Sequence, residues 1–288
     1  LQTNISNKIR NYTKRKALEL NLEFFDLKNQ NGDIRNLMIR TTTTNEIMVL
    51  IQFYKYSKKA ENLLELIKNE FDEINSIMYV INSKPNDTIY DLEILCFSGK
   101  NYITEKIGEL LFKISAKSFF QTNSYQIKKL YNIVKSFANL KGNETVYDLY
   151  SGIGTISLFL SKEAKKIIGI ETVKDAVKAA KSNSKLNNIS NCKFIHGDVK
   201  DIIAKPIKGI KKPDIVIVDP PRNGLDKSVI KSIIKLSPEK IIYVSCNSST
   251  QARDIYELRD FYNLKITQAI DMFPQTYHVE NVVLLEKI

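Results

Sequence analysis

The sequence contains few of the residues that bind metals or cross-link a chain. Its 288 residues include 3 cysteines, 2 histidines and no tryptophan. Cys96, Cys192 and Cys246 are far apart and form no C-x-x-C pair, so we expect neither a disulfide framework nor a zinc or iron–sulfur site. This cysteine usage is typical of a reducing compartment, and we expect a cytoplasmic protein without a bound metal.

Long hydrophobic runs are also missing. No uninterrupted apolar segment approaches the ~18–20 residues needed to span a bilayer, and the polar start shows no signal peptide. We therefore expect no membrane partner. The first residue is leucine and not methionine, which favours a fragment cut from a longer chain.

Acidic residues are in the minority. Lys and Arg total 43 against 32 Asp and Glu, which gives a net charge of +11. Such a charge predicts attraction to polyanions, although a composition rich in Lys and Asn would make every surface basic. Residues 5–16 predict a helix with a basic face. That face either contacts nucleic acid or is simply solvated.

Residues 1–115 predict a small α+β domain with mostly antiparallel strands. The predicted helices cover residues 5–16 and 58–74, and the predicted strands cover residues 21–27, 36–43, 46–54, 76–82 and 89–97. These elements alone indicate no function.

Residues 116–288 predict a second domain in which strands and helices alternate. Such alternation is typical of a parallel sheet with both faces covered, so we expect an α/β, Rossmann-like fold. The predicted strands cover residues 144–150, 166–171, 193–197, 214–219, 240–245 and 281–288, the last paired with residues 264–269, and the predicted helices cover residues 126–139, 155–162, 174–186 and 227–236.

Acids follow three successive strands of this second domain. Asp148, Glu171 and Asp198 would all lie at the carboxyl edge of the sheet, where such folds bind ligands. Gly152 and Gly154 permit a close approach of the backbone, but the third glycine of the dinucleotide fingerprint is missing. The set of acids suits a cationic nucleoside, S-adenosylmethionine, better than NAD. The alternative is that the acids only cap helices.

The next two strands end in residues suited to base chemistry. Asp219-Pro220-Pro221-Arg222 predicts a rigid loop that can hold a flat base, and the guanidinium can stack or grip a phosphate. Cys246 follows the next strand. A thiolate that adds to C6 of uracil makes C5 nucleophilic, and a base must then remove the C5 proton. Glu280 and His278 are the candidates for that base.

In its motifs the sequence closely resembles the uracil-5 RNA methyltransferases, which make 5-methyluridine in bacterial ribosomal and transfer RNA. The matching segments, in the family's order and spacing, are Ser118-Phe119-Phe120-Gln121-Thr122-Asn123, Asp148–Gly154, Asp219-Pro220-Pro221-Arg222-Asn223-Gly224, Ser245-Cys246-Asn247 and His278-Val279-Glu280.

The resemblance implies roles for the residues that match. Cys246 would be the nucleophile, and Glu280 would be the base in preference to His278. Residues 116–288 would form a class I S-adenosylmethionine-dependent methyltransferase domain, and residues 1–115 part of an RNA-facing central domain. The residues implied to line the S-adenosylmethionine site are Gln121, Tyr150, Thr155, Glu171, Asp198 and Asp219, with Asp219 also near the target uracil.

The sequence departs from the family at two places. Ser248 stands where the family usually has proline after Cys-Asn, which favours a looser nucleophile loop. The small β-barrel RNA-binding domain that family members generally carry at the N-terminus is not present in the sequence. Some members also have a cluster-binding cysteine set in that region, which this sequence lacks.

The resemblance implies a monomeric enzyme that methylates uracil C5 in RNA, most often 23S ribosomal RNA, through a covalent Cys–C6 adduct. Three further hypotheses stay open: a transfer RNA enzyme with the same chemistry, an RNA cytosine-5 methyltransferase, and an inactive RNA-binding fragment. The cytosine-5 enzymes typically have a cysteine after the two prolines, where this sequence has Arg222.

Overall fold

The computed structural model describes residues 3–288 and divides into two compact units. The first comprises Leu1–Lys106 and Lys113–Lys117, and the second comprises Ile107–Phe112 and Ser118–Ile288. The boundary between residues 115 and 116 that the sequence suggested for the family's domains stays a prediction.

The first unit is a four-stranded sheet with two helices on one face. Strand order is β1-β2-β3-β4; β2 and β3 are parallel and joined through α2, and the other pairs are antiparallel. The elements are α1 (Asn4–Glu19), β1 (Ile34–Thr41), β2 (Ile47–Phe53), α2 (Lys58–Glu70), β3 (Ile74–Ile81) and β4 (Ile94–Gly99). A two-stranded sheet of β5 (Ile103–Ile107) and β6 (Leu110–Ile114) follows in the chain.

Apolar periodicity explains this unit. All seven residues of β2 are buried, because the strand lies at the centre of the sheet. Leu63, Leu64 and Ile67 form the buried stripe of α2, which begins where the Ser57 hydroxyl accepts a hydrogen bond from the Ala60 N–H.

The second unit is a seven-stranded sheet in the order β12-β13-β11-β10-β7-β8-β9. Strands β7 to β11 are parallel, and β13 is antiparallel to β11 and β12. The elements are α3 (Ser124–Ala138), β7 (Thr145–Leu149), α4 (Thr155–Leu160), β8 (Lys166–Glu171), α5 (Lys174–Leu186), β9 (Cys192–His196), α6 (Val199–Ile203), β10 (Ile215–Val218), α7 (Lys227–Leu236), β11 (Lys240–Ser245), α8 (Ser248–Leu258), β12 (Tyr262–Ile270) and β13 (Glu280–Lys287).

Two apolar clusters cover the two faces of this sheet. Val146 belongs to one cluster and its neighbour Tyr147 to the other, because successive side chains of a strand point to opposite faces. The strand order reverses between β7 and β10, which lie side by side. This switch point places the carboxyl ends of both strands beside one crevice, where open α/β sheets bind ligands.

The predicted α/β, Rossmann-like fold is confirmed, as is the pairing of the last strand with residues near 264–269. One predicted strand is wrong: residues 21–27 form only isolated bridges, Phe24 with Ile34 and Asp26 with Asn31. The helix predicted over 58–74 ends at Glu70 because Ile74 already begins β3. None of the helices among residues 3–288 is long and apolar enough to cross a membrane.

Candidate active site

The turn after β7 brings the backbone round sharply into α4. Tyr150, Gly152 and Gly154 all have positive φ angles, of 65°, 55° and 84°. A Cβ atom on Gly154 would lie 2.8 Å from the Phe194 ring, so this glycine permits α4 to pack close to the sheet. Gly152 faces open space, and its N–H donates a hydrogen bond to Glu171.

Glu171, at the end of β8, ties this turn to the next strand. Its Oε2 accepts from the Gly152 N–H at 2.9 Å, and its Oε1 accepts from the Val173 N–H at 2.8 Å. Because Oε1 also accepts from the Thr172 hydroxyl at 3.1 Å, Oε2 is the oxygen that keeps further acceptor capacity. Glu171 is therefore held in a fixed orientation beside the turn.

Asp148 and Ser151 carry buried polar atoms without a protein partner. Ser157 Oγ donates to Asp148 Oδ2 at 2.5 Å, but Asp148 Oδ1 and Ser151 Oγ have no hydrogen bond to any group in residues 3–288. Burial raises the pKa of Asp148 to about 7. Since buried polar atoms are rarely left unpaired, these two are suited to a polar ligand.

Both residues line an open cleft. Its empty volume is about 400 Å³ when the solvent space at the mouth is included. Four of the predicted cofactor residues line it, which are Gln121, Tyr150, Thr155 and Asp219. The other lining residues are Phe119, Phe120, Tyr131, Asp148, Ser151, Gly152, Ile153 and Ile156. The cleft thus lies at the turn that the sequence pointed to.

Sequence reasoning did not find Tyr131, which is buried on α3. Its hydroxyl donates to Thr155 Oγ1 at 2.8 Å and so fixes the first side chain of α4. Phe119 was quoted only as part of a motif, yet it lines the cleft with 70% of its surface exposed. Tyr131 belongs to the buried stripe of α3, but the contact of its hydroxyl and the place of Phe119 depend on tertiary packing, which periodicity does not indicate.

Asp198 does not line the cleft. It is exposed, accepts from the Lys200 N–H as the N-cap of α6, and pairs with Lys200 Nζ at 3.3 Å. This is the helix-capping alternative that the sequence left open. Its role toward a cofactor stays a prediction.

Asp219 directly follows β10 and lines the cleft, and its charge interacts with Glu280 and with the Cys246 thiol. Burial raises its pKa to about 8, and the negative charges of Glu280 and Asp148 act in the same direction. The raised pKa favours the protonated form of this carboxyl, which can donate a hydrogen bond.

Cys246 and Glu280 are neighbours across two strand ends. β11 and β13 pair Ser245 with Asn281 as the last pair of their ladder, which Cys246, one residue after β11, and Glu280, the first residue of β13, adjoin. Glu280 is 3% exposed and Cys246 is half-buried. Burial raises the pKa of both groups, and the Glu280 charge raises the pKa of the thiol further.

Arg222 counteracts these effects at both groups. Its guanidinium lowers the pKa of the Cys246 thiol, and its charge also lowers the pKa of Glu280. Its Nη2 lies 3.3 Å from His278 Nε2. The structure thus assembles Cys246, Glu280 and His278, which the sequence singled out, around one arginine.

Asn247 fastens the loop of Arg222 to the start of α8. Its Nδ2 donates to the Arg222 carbonyl at 3.0 Å, while its Oδ1 accepts from the Ser249 and Thr250 N–H groups. Ser248 is then the first residue of α8, where an N–H needs no helical partner. Ser248 was expected to give a looser nucleophile loop, but the hydrogen bonds of Asn247 hold this loop to Arg222 and to the start of α8.

A second connection, which the sequence did not reveal, joins the end of β11 to the start of β13 through Gln251 of α8. Gln251 Nε2 donates to the Tyr243 carbonyl at 2.9 Å, and Asn281 Nδ2 donates to Gln251 Oε1 at 2.7 Å. Gln251 is 2% exposed. This buried amide pair links the helix after the thiol to the strand that carries Glu280.

The sequence is similar to those of known RNA methyltransferases. The family model described as tRNA (Uracil-5-)-methyltransferase matches residues 38–288. An uncharacterized RNA methyltransferase from Bacteroides thetaiotaomicron is 47% identical over 99% of this chain and 64% of its own length. Another, from Porphyromonas gingivalis, is 50% identical over 91% of this chain and 57% of its own length. The chain thus spans about three fifths of these curated relatives.

Solved structures show the same similarity. The tRNA (uracil-54, C5)-methyltransferase of Pyrococcus abyssi, in complex with S-adenosyl-L-homocysteine, is 32% identical with a TM-score of 0.79, and the match covers 96% of this chain and 65% of that one. The tRNA m1G37 methyltransferase of M. jannaschii shares the fold alone, with a TM-score of 0.54 and 17% identity over 91% of this chain and 78% of that one.

Proposed function

The chain belongs to the tRNA (uracil-5-)-methyltransferase family, and we propose that it transfers a methyl group from S-adenosylmethionine to C5 of uracil in RNA. The observation that carries the proposal is the pairing of Ser245 with Asn281, which sets Cys246 beside Glu280. The reaction needs a thiolate and a base on one substrate ring, and this register supplies both.

The cleft residues fit S-adenosylmethionine. Asp148 Oδ1 and Ser151 Oγ are buried acceptors without a partner among residues 3–288, and the ligand carries an ammonium group. Glu171 keeps acceptor capacity for ribose hydroxyls, and Phe119 offers an exposed ring to a base. When bound, S-adenosylmethionine supplies an electrophilic methyl group.

We assign the covalent step to Cys246. Its thiolate adds to C6 of uracil, the electron pair of the C5–C6 double bond moves toward C5 and O4, and C5 becomes a nucleophile. The Arg222 guanidinium stabilises the thiolate before attack. Asp219, with a pKa raised to about 8, can donate a hydrogen bond to a uracil carbonyl.

Glu280 then completes the reaction as a base. Its carboxylate removes the proton from the methylated C5, and the electron pair of that C–H bond restores the C5–C6 double bond as the thiolate leaves C6. Burial raises the pKa of Glu280, which makes its carboxylate a stronger base. His278 contacts Arg222 and not the thiol, so we assign it a positioning role.

For the RNA class we propose 23S ribosomal RNA, and transfer RNA is the second candidate. The 32% identity to the transfer RNA enzyme of Pyrococcus abyssi favours the second candidate. The test incubates the chain and S-adenosylmethionine with 23S ribosomal RNA and transfer RNA that lack 5-methyluridine, and measures nucleosides by mass spectrometry. We expect 5-methyluridine in ribosomal RNA; its appearance only in transfer RNA would support the second candidate.

The same assay distinguishes a uracil-5 enzyme from a cytosine-5 enzyme and from an inactive fragment. Transcripts that contain only uridine or only cytidine as the pyrimidine separate the two enzymes, and we expect transfer to uridine alone. Binding of S-adenosylmethionine without transfer to any RNA would indicate an inactive RNA-binding fragment and would contradict the proposed function.

A further inference from the structure

Helix α1 lies before the part of the chain that the family model matches, which begins at residue 38. The buried stripe of α1 packs on the same face of the four-stranded sheet as α2 does. This stripe consists of Ser6, Ile9, Thr13 and Ala17. The opposite side of α1 is exposed, and its charged residues differ from those of the neighbouring helix α2.

The exposed side of α1 carries cations and amides. Among the ion pairs of residues 3–288, none includes Lys8, Arg10 or Lys14, and the single acid of the helix, Glu19, pairs with Lys16 at 2.6 Å and with Arg15 at 3.8 Å. The exposed cations are Lys8, Arg10, Lys14 and Arg15, and the exposed amides are Asn4 and Asn11.

Helix α2 shows that this charge is not a uniform property of the chain. It has three lysines and three glutamates, and two ion pairs join them: Lys58 with Glu61 at 2.8 Å and Lys68 with Glu65 at 3.6 Å. The two helices lie side by side on the same core, yet only α1 presents a large excess of positive charge. A Lys-rich composition alone would make both basic.

We propose that the exposed face of α1 binds the phosphate backbone of RNA. The proposed function enters here only in the choice of RNA as the polyanion, and the basic face itself is an observation on α1. At a rise of 1.5 Å per residue, Lys8 and Arg15 lie about 10 Å apart along the helix axis, so the cations reach several neighbouring phosphates. Lys, Arg and Asn side chains are all common phosphate ligands, and they carry no sequence information.

The test is the salt dependence of RNA binding. The variant Lys8→Gln/Arg10→Gln/Lys14→Gln/Arg15→Gln removes the four exposed cations of α1, and the control Lys58→Gln/Lys59→Gln/Lys68→Gln removes the three lysines of α2. The dissociation constant of an unmodified transfer RNA transcript is measured by fluorescence anisotropy between about 50 and 200 mM salt. Circular dichroism checks that both variants fold, which we expect because all substituted positions are exposed.

We expect the slope of log affinity against log salt to become shallower by about 0.7–0.9 for each lost phosphate contact, or about 3 for the α1 variant. The α2 variant keeps the slope of the parent. An unchanged slope in the α1 variant, an equal loss in the α2 variant, or a parent chain that binds no RNA would overturn the proposal. Because no methyl transfer is measured, RNA binding through α1 without 5-methyluridine formation would support it while contradicting the proposed function.

Discussion

Ser245 and Asn281 are paired across the antiparallel strands β11 and β13, and the residue after the first and the residue before the second are Cys246 and Glu280. The last pair of the strand ladder therefore directly adjoins both the proposed nucleophile and the proposed base. A site built on strand ends holds its geometry with little loss of entropy on substrate binding.

Glu280→Gln should stop the reaction after the covalent step. The amide cannot accept the C5 proton, so we expect turnover to fall by about 10²- to 10⁴-fold while the protein–RNA adduct accumulates. Denaturing electrophoresis with labelled RNA measures the adduct. Glu286→Gln, on the same strand, is the matched control and should turn over normally. A variant that turns over at the parental rate would exclude Glu280 as the base.

Asp148 should make the binding of S-adenosylmethionine depend on pH. Burial raises its pKa to about 7, and the ammonium group of the ligand favours the ionised form, so affinity rises as pH rises through that value. Calorimetry between about pH 6 and 8 should show a gain of about tenfold, as expected for one such group.

Two variants test whether the charge of Asp148 causes this pH dependence. Asp148→Asn should weaken binding by about 10- to 100-fold, the worth of a charge-assisted hydrogen bond, and abolish the pH dependence. Asp201→Asn, an exposed acid on α6, should change neither. A pH dependence that persists in Asp148→Asn would assign it to another group.

Asn247→Ala should reduce both stability and activity. The variant loses the N-cap of α8, which costs about 0.5–2 kcal/mol, and it also leaves the Arg222 carbonyl with the Thr250 hydroxyl as its remaining donor. Asp226→Ala removes the comparable cap of α7 and touches neither Cys246 nor Arg222. We expect similar losses in denaturant midpoint but a lower kcat only for Asn247→Ala. Equal kcat in both variants would show that the tie to Arg222 has no catalytic effect.

The amide pair behind the strand ends should couple energetically to the active site. Gln251→Leu leaves buried groups of Tyr243 and Asn281 unpaired, at a cost of about 1–3 kcal/mol in unfolding free energy. In a double-mutant cycle with Asn281→Ala, we expect a coupling of about 0.5–3 kcal/mol. If the pair positions Glu280, kcat falls at unchanged KM, and the adduct persists longer. A change in stability without a change in kcat would leave the pair a structural contact only.

Much of the second unit follows from its sequence, because apolar runs such as 215–218 indicate buried parallel strands and polar residues mark their ends. Asp148, Glu171 and Asp219 therefore fall at the sheet edge as predicted. Helix α8 was not predicted, because its polar segment lacks a clear apolar period. Residues 21–27 were predicted as a strand from their composition, but they have no neighbouring strand with which to form a ladder.

The contacts that organise the site were beyond sequence reasoning. Asn247 is adjacent to Cys246 in sequence, yet its bond to Arg222 spans 25 positions, and the Gln251–Asn281 pair spans 30. Such pairings depend on which loops the topology brings together. Asp198 shows the converse, because a strand-end acid became a helix cap once α6 began directly after it.

The central claim is that Cys246 forms a covalent bond with uracil C6. RNA that contains 5-fluorouridine tests it most directly, since fluorine cannot leave C5 as a proton does and the adduct is trapped. Peptide mass spectrometry of the trapped complex should map the RNA fragment to Cys246. Cys246→Ala should form no adduct, while Cys192→Ala should match the parent, because burial raises the pKa of the Cys192 thiol to about 12. An adduct of undiminished yield with Cys246→Ala would contradict the account.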